Sequence, residues 1–150
     1  MRTWLVAAAV LWPAILSAAA IERIRHEAPA FTTAVYLAAS RVCHQRPERS
    51  FQTHGVTWPV CGRCSGLYLS AALGALAAGV AMRRRPSLAS GRLRLALVVA
   101  ALPTLLTLVA EWSGVMTVTN LARALAALPL GAAVAWAVIA VAPGSSEPIR

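Results

Sequence analysis

Four long apolar runs with little charge inside them restrict the folds open to this chain more than any other feature. They cover about residues 4–21, 66–82, 93–112 and 121–142. A helix needs about 20 predominantly apolar residues to cross the hydrocarbon core of a bilayer. Three of the runs contain a proline, which membrane helices tolerate because neighbouring groups satisfy the freed backbone atoms. The sequence therefore predicts an all-α integral membrane protein with four transmembrane helices.

The composition agrees with a membrane protein. Hydrophobic residues form 59% of the 150-residue chain and charged residues only 13%, whereas soluble domains carry roughly 25% charged residues. The net charge of +9 comes from arginines alone, and these cluster at the ends of the apolar runs, where they anchor helices at the membrane surface. We therefore expect one membrane domain, residues 1–150, with the lipid bilayer as its partner and no nucleic acid. The sequence identifies no protein partner.

The first run allows a second interpretation. Arg2, the apolar stretch and the small residues around Ser17 together resemble a secretory signal peptide with its cleavage site. The apolar stretch is long for a signal peptide, and further membrane segments follow it. We favour a retained transmembrane helix, with cleavage of residues 1–20 as the alternative.

A shorter apolar piece, residues 28–39, precedes the second run and forms most of a predicted short helix at about residues 29–44. It is too short to span a bilayer, so the sequence predicts an interfacial or re-entrant helix there. Pro47 stops any helix that continues. Residues 43–64 are then expected to form a Cys/His loop, and residues 48–59 within it, which contain Gly55 and Pro59, an irregular segment.

Arginine placement predicts the orientation. Residues 83–94, after the second run, hold five arginines, whereas residues 111–120, after the third run, hold none. The positive-inside rule puts the arginine-rich loop in the cytoplasm. We expect a multi-pass protein of a bacterial cytoplasmic (inner) membrane, with both termini cytoplasmic and the Cys/His loop extracytoplasmic. The six arginines between residues 23 and 63 favour the opposite orientation.

All three cysteines lie between residues 43 and 64. Cys61 and Cys64 are separated by two residues, a spacing that lets both sulfur atoms face one point. Cys43 supplies a third thiolate, and His44 or His54 an imidazole, which completes the ligand set of a tetrahedral Cys3His zinc site. Iron and copper(I) are less favoured occupants. Neighbours on a helix point about 100° apart, so Cys43 and His44 reach one ion only if the helix ends there.

The same cysteines allow a redox function. In a membrane thiol-disulfide oxidoreductase, Cys61 and Cys64 would cycle between dithiol and disulfide, with Cys43 as the exchange partner. An extracytoplasmic location would favour disulfides. We favour metal binding and keep redox chemistry as the alternative. The sequence identifies no catalytic residue and no substrate, and it carries no specific signal for a transporter or an assembly factor.

Two motifs in this region resemble a known family. Residues 43–51 read CHQRPERSF and residues 59–68 read PVCGRCSGLY. They are similar to the signature C-H-Q-x-P-x-R-S-F followed by P-x-C-x-R-C-x-G-x-Y of an uncharacterised prokaryotic family of multi-pass membrane proteins, classed as a domain of unknown function. The resemblance extends over about residues 30–142 and implies an integral membrane protein. The signature contains His44 and not His54, which favours His44 as the fourth ligand.

Further polar side chains are expected to orient the ligands or to line the site. Some belong to the two motifs, and the others stand at the facing ends of the third and fourth runs. They are Gln45, Arg49, Ser50, Arg63, Tyr68, Glu111, Asn120 and Arg123. Glu111 stands where the family pattern leads us to expect glutamine, and we expect it to pair with Arg123 across the connecting loop.

Overall fold

A computed structural model of the chain describes residues 1–81 and 90–142, and these form five helices and one hairpin. In chain order the elements are α1 (Arg2–Arg25), α2 (Pro29–Ser40), a 3-10 turn (Pro47–Arg49), β1 (Ser50–Thr53), β2 (Val56–Cys61), α3 (Gly62–Ala81), α4 (Ser90–Trp112) and α5 (Asn120–Val141). Helices α1, α3, α4 and α5 are long and apolar enough to cross a membrane. The predicted fold class, four transmembrane helices and one short helix, is confirmed.

Several predicted boundaries need correction. Helix α1 extends beyond residues 4–21 at both ends, and α3 begins at Gly62 rather than at residue 66. Helix α2 ends at Ser40 rather than at residue 44, so Cys43 and His44 lie in the loop that follows it. The predicted end of the second run, residue 82, and the arginines at 83–85 that determine the predicted orientation lie outside the described residues.

The expectation of an irregular segment at residues 48–59 was wrong, because most of it forms an antiparallel β-hairpin. His54 and Gly55 make its two-residue turn, with φ angles of 50° and 77°. Such a turn, with both central residues at positive φ, matches the twist of the flanking strands. Ser50 pairs with Cys61 across the open end of the hairpin, so the hairpin delivers Cys61 directly to the start of α3.

Helices α3 and α5 form the most extensive contact of the bundle, and glycines make it close. A Cβ atom on Gly66 would overlap the backbone carbonyl of Ala124, and one on Gly131 would overlap that of Leu67. Small residues let helices approach in lipid, where no hydrophobic force drives them together. Helix α1 packs against α3, and α4 packs against α5. The start of α3 is therefore held firmly beside the start of α5.

The ends of the helices divide between two faces of the bundle. The Arg2 guanidinium donates a hydrogen bond of 2.8 Å to the Ala142 carbonyl, so the start of α1 and the end of α5 share one face. The opposite face carries α2, the hairpin and the starts of α3 and α5, and we call it the sulfur end because Cys43, Cys61 and Cys64 all lie there. This up-and-down arrangement is what four membrane crossings require.

Candidate metal centre

Three sulfur atoms converge at the sulfur end. The Sγ atoms of Cys43, Cys61 and Cys64 all lie within 4.8 Å of one another, and the three cysteines are free thiols without a disulfide. Zinc–sulfur bonds of about 2.3 Å in a tetrahedral site imply sulfur–sulfur separations of ~3.8 Å. The cluster is therefore close to the size that a bound ion needs, and a small inward shift would complete it.

Each cysteine is placed by a different local structure. Cys43 is buried in the loop after α2, where its N–H donates to the Ala39 carbonyl at 2.9 Å. Cys61 ends β2, and Cys64 lies in the first turn of α3. Cys64 therefore lies at the N-terminus of α3, next to the strand that ends at Cys61.

Hydrogen bonds favour ionisation of Cys43. The Cys61 backbone N–H donates to the Cys43 Sγ at 3.2 Å. Hydrogen bonds from the thiols of Cys61 and Cys64 lower the pKa of the Cys43 thiol, and burial opposes them only in part. Since thiolates rather than thiols bind metals, the cluster is arranged to supply the reactive form of at least one ligand.

Gln45 connects the two cysteine-bearing segments. Its Nε2 donates to the Tyr36 carbonyl in α2 at 2.7 Å and to the Pro59 carbonyl in β2 at 2.8 Å. Gln45 itself has a φ of 48°, a conformation that turns the chain sharply after Cys43. One side chain thus holds the loop of Cys43 against the strand of Cys61.

Ser50 and Asn120 attach the hairpin to the bundle. The buried Ser50 hydroxyl donates to the Arg46 carbonyl at 2.9 Å, and the Ser50 carbonyl accepts a hydrogen bond of 2.9 Å from the Asn120 side chain. Gly62 fits closely beside the same point, since a Cβ there would lie 2.6 Å from the Asn120 carbonyl oxygen. The strand-to-helix junction between Cys61 and Cys64 is therefore fixed by α5.

A buried ion-pair network borders the cluster. The Glu111 carboxylate, only 5% exposed, accepts hydrogen bonds from Arg63 at 3.1 Å and from Arg123 at 2.5 Å. The predicted pairing of Glu111 with Arg123 is confirmed. Arg63 also donates to the Thr107 hydroxyl at 3.3 Å, and Arg123 to the Asn120 side chain at 2.6 Å. These contacts join α3, α4 and α5 at the sulfur end.

A cavity of about 420 Å³ opens beside the sulfur atoms. Its polar lining consists of the three cysteines with His44, Gln45, Arg46, Arg49, Arg63 and Arg123. His44 is exposed and stands outside the sulfur cluster, yet it borders the same cavity. His54 lies at the tip of the hairpin, away from Cys61.

Tyr68 lies on the bundle side of the cluster. Its ring contacts Trp12 of α1 edge-to-face, with ring centroids 6.2 Å apart, and it packs against the apolar core that includes Cys43. Sequence reasoning missed two residues near the centre, Arg46 in the cavity wall and Thr107, which binds Arg63. Thr107 could have been identified from the sequence, because a polar residue within an apolar run commonly faces the bundle interior.

Comparisons with known proteins cover the same region. A family model described as "Predicted membrane protein (DUF2085)" matches residues 43–137, from the first cysteine into α5. A protein of Methanothermobacter thermautotrophicus described as "Uncharacterized protein" is 53% identical over 30 residues, which are 20% of this chain. The match spans 27% of that relative's length. No solved structure matches the chain.

Proposed function

The chain belongs to the DUF2085 family of predicted membrane proteins, and from this premise we propose that it holds a zinc ion at its sulfur end. Cys43, Cys61 and Cys64 supply three thiolates, and His44 supplies the fourth ligand. The convergence within 4.8 Å of sulfur atoms from two separate segments of the chain carries this proposal. Three thiolates and one imidazole form a closed tetrahedral set that suits zinc better than harder cations.

The local backbone supports His44 as the fourth ligand. Helix α2 ends at Ser40, so Cys43 and His44 are not held at the helical angle that would point their side chains apart. His44 borders the cavity that the cysteines line. A rotation of this exposed side chain toward the sulfur atoms would complete the coordination shell.

The proposed role of the ion is to fasten the segment between α1 and α3. The ligands come from the loop after α2, the end of β2 and the first turn of α3, so one ion joins three elements. A metal that binds the folded form stabilises it by mass action. In the proposed orientation, which the positive-inside rule supports, this segment faces the outside of a bacterial cytoplasmic membrane and both termini face the cytoplasm.

Metal analysis of the protein purified in detergent tests the proposal. We expect about one equivalent of zinc per chain and loss of most of it in Cys43→Ser. His44→Ala should release zinc to weaker chelators than the wild-type protein does, while the matched control His54→Ala should retain it. Less than about one-tenth of an equivalent in the monodisperse wild-type protein would contradict the zinc site, whatever the variants do.

One observation favours a second candidate function. Cys43 lies within reach of both Cys61 and Cys64, as an exchange partner of a redox-active pair must. In a thiol-disulfide oxidoreductase, Cys61 and Cys64 would pass two electrons and two protons to a quinone or a disulfide and form an S–S bond. Thiol titration of the same sample tests the oxidoreductase function. Thiols that stay reduced and do not react with a quinone or a disulfide exclude it.

A further inference from the structure

Four arginines surround the cavity at the sulfur end. Arg46 and Arg49 reach it from the loop and the 3-10 turn before β1, Arg63 from α3 and Arg123 from α5. No carboxylate belongs to the described lining. Glu111 lies outside the lining and binds Arg63 and Arg123. Apart from the cysteine thiolates of the proposed zinc site, the charged side chains of the lining are therefore all cationic. Concave surfaces rich in one charge sign concentrate ions of the opposite sign.

Charge balance leaves an excess in the zinc-bound form. The four guanidinium groups carry four positive charges, and Glu111 offsets one of them. A zinc ion on three thiolates and a neutral imidazole carries one net negative charge. Two positive charges then remain without a counter-ion among the described residues of the site. An excess of positive charge in a concave site attracts anions, so a ligand of negative charge would stabilise it.

Two of the arginines are already held in position. Arg63 is fixed by Thr107 and Glu111, and the side chain of Arg123 by Glu111 and Asn120. The Nε atom of Arg63 is buried and has no hydrogen-bond partner among the described residues. Donors that are fixed before binding lose less conformational entropy when a ligand arrives.

The other two arginines retain their full donor capacity. Neither Arg46 nor Arg49 forms an ion pair within residues 1–81 and 90–142. Guanidinium groups bind phosphate-type oxyanions through paired N–H donors, a geometry that a lysine does not offer. Two positioned and two available arginines around one cavity form the donor set of an oxyanion site.

We propose that this cavity binds a phosphate-type oxyanion group beside the metal centre. The inference rests on the proposed zinc site, because the charge balance is counted with the ion bound. The group reaches the cavity either as a soluble inorganic anion or as the headgroup of an anionic phospholipid. Trp112 and Leu108 form an apolar part of the cavity wall at the end of α4, so a lipid can present its headgroup from the bilayer side.

Binding to the zinc-loaded protein tests the inference. Inorganic phosphate is titrated into protein in neutral detergent, and phosphatidic acid is compared with phosphatidylcholine in nanodiscs. We expect Arg46→Gln and Arg49→Gln each to weaken phosphate or phosphatidic acid binding about tenfold, as the loss of a charged hydrogen bond predicts. Arg41→Gln, which removes an exposed arginine outside the cavity, should leave binding unchanged.

The zinc content of the same samples is measured, so the experiment distinguishes failure of the oxyanion site from failure of the zinc site. Phosphate binding that depends on Arg46 and Arg49 supports a soluble ligand, and binding of phosphatidic acid alone with the same dependence supports a lipid headgroup. Zinc-loaded protein that binds neither probe, or that binds them equally well in all three variants, overturns the oxyanion site and leaves the zinc site intact. Protein that carries no zinc overturns both.

Discussion

Gln45 is the residue whose hydrogen bonds position the cysteines. Its side chain donates to the carbonyls of Tyr36 and Pro59, and its loss leaves both groups without that donor. We expect Gln45→Ala to lower the free energy of unfolding by about 2 kcal/mol and to speed zinc loss to a chelator, because the loop of Cys43 is released from β2.

The matched control for this prediction is Gln52→Ala, which truncates an exposed glutamine of β1. Denaturant unfolding and chelation rates measured on both variants check it. Equal effects of the two substitutions on stability and on zinc retention would contradict a positioning role for Gln45.

The sequence pointed to the candidate ligands more easily than to the residues that hold them in place. The spacing of Cys61 and Cys64 and the polar setting of Cys43 singled out the three thiols, and Glu111 was paired correctly with Arg123. The hydrogen bond from the Gln45 side chain to the Pro59 carbonyl was not predicted. It depends on how β2 approaches α2, and no local pattern encodes that approach.

The contact between helices α3 and α5 positions the sulfur end. A Cβ on Gly66 would overlap the Ala124 carbonyl of α5. We expect Gly66→Ala to separate the helices and to lower the free energy of unfolding by about 1–3 kcal/mol, as overpacking does, despite the better helix propensity of alanine.

Gly91→Ala is the control for that substitution, since no atom of the described part of the chain lies within 4 Å of the site of its Cβ. It should be neutral or stabilising by up to about 1 kcal/mol. Thermal unfolding in detergent measures both variants, and a harmless Gly66→Ala would contradict the close helix contact.

The backbone conformation of the hairpin turn leads to a second prediction about the secondary-structure elements. His54 adopts a φ of 50°, which asparagine accepts more readily than other side chains and β-branched residues resist. We expect His54→Asn to stabilise the protein by on the order of 0.5 kcal/mol and His54→Val to destabilise it. Both should retain zinc, and zinc loss in the stable His54→Asn variant would make His54 a ligand.

The hairpin also shows where sequence patterns were misjudged. His54–Gly55 followed by Val56, Thr57 and Trp58 is a recognisable hairpin signal, but Pro59 and the mixed charges before it indicated a loop. Pro59 is tolerated because a two-stranded hairpin has only edge strands. The apolar runs gave the helices correctly because hydrophobic length alone determines them, while their ends depend on contacts with other elements.

For the whole molecule, the four crossings place the two faces of the bundle on opposite sides of the membrane. Thr3 is exposed near the start of α1, and Arg41 is exposed at the sulfur end. In intact cells we expect a membrane-impermeant maleimide to label Thr3→Cys only after permeabilisation and Arg41→Cys without it. The wild-type protein gives the background from the native thiols.

The two labelling sites lie at the start of α1 and beyond its end, so they separate its crossing of the membrane from the orientation of the protein. Labelling of both introduced cysteines from one side would contradict the four-helix topology. The reverse pattern would keep the topology and invert the orientation, and the arginines between residues 23 and 63 would then have decided it.

The proposed zinc site requires one ion held jointly by the three thiolates, and X-ray absorption at the zinc edge of the purified protein measures this directly. It should show three sulfur atoms at about 2.3 Å and one nitrogen at about 2.0–2.1 Å. A shell with two or fewer sulfur atoms would contradict convergence of Cys43 with Cys61 and Cys64 on one ion.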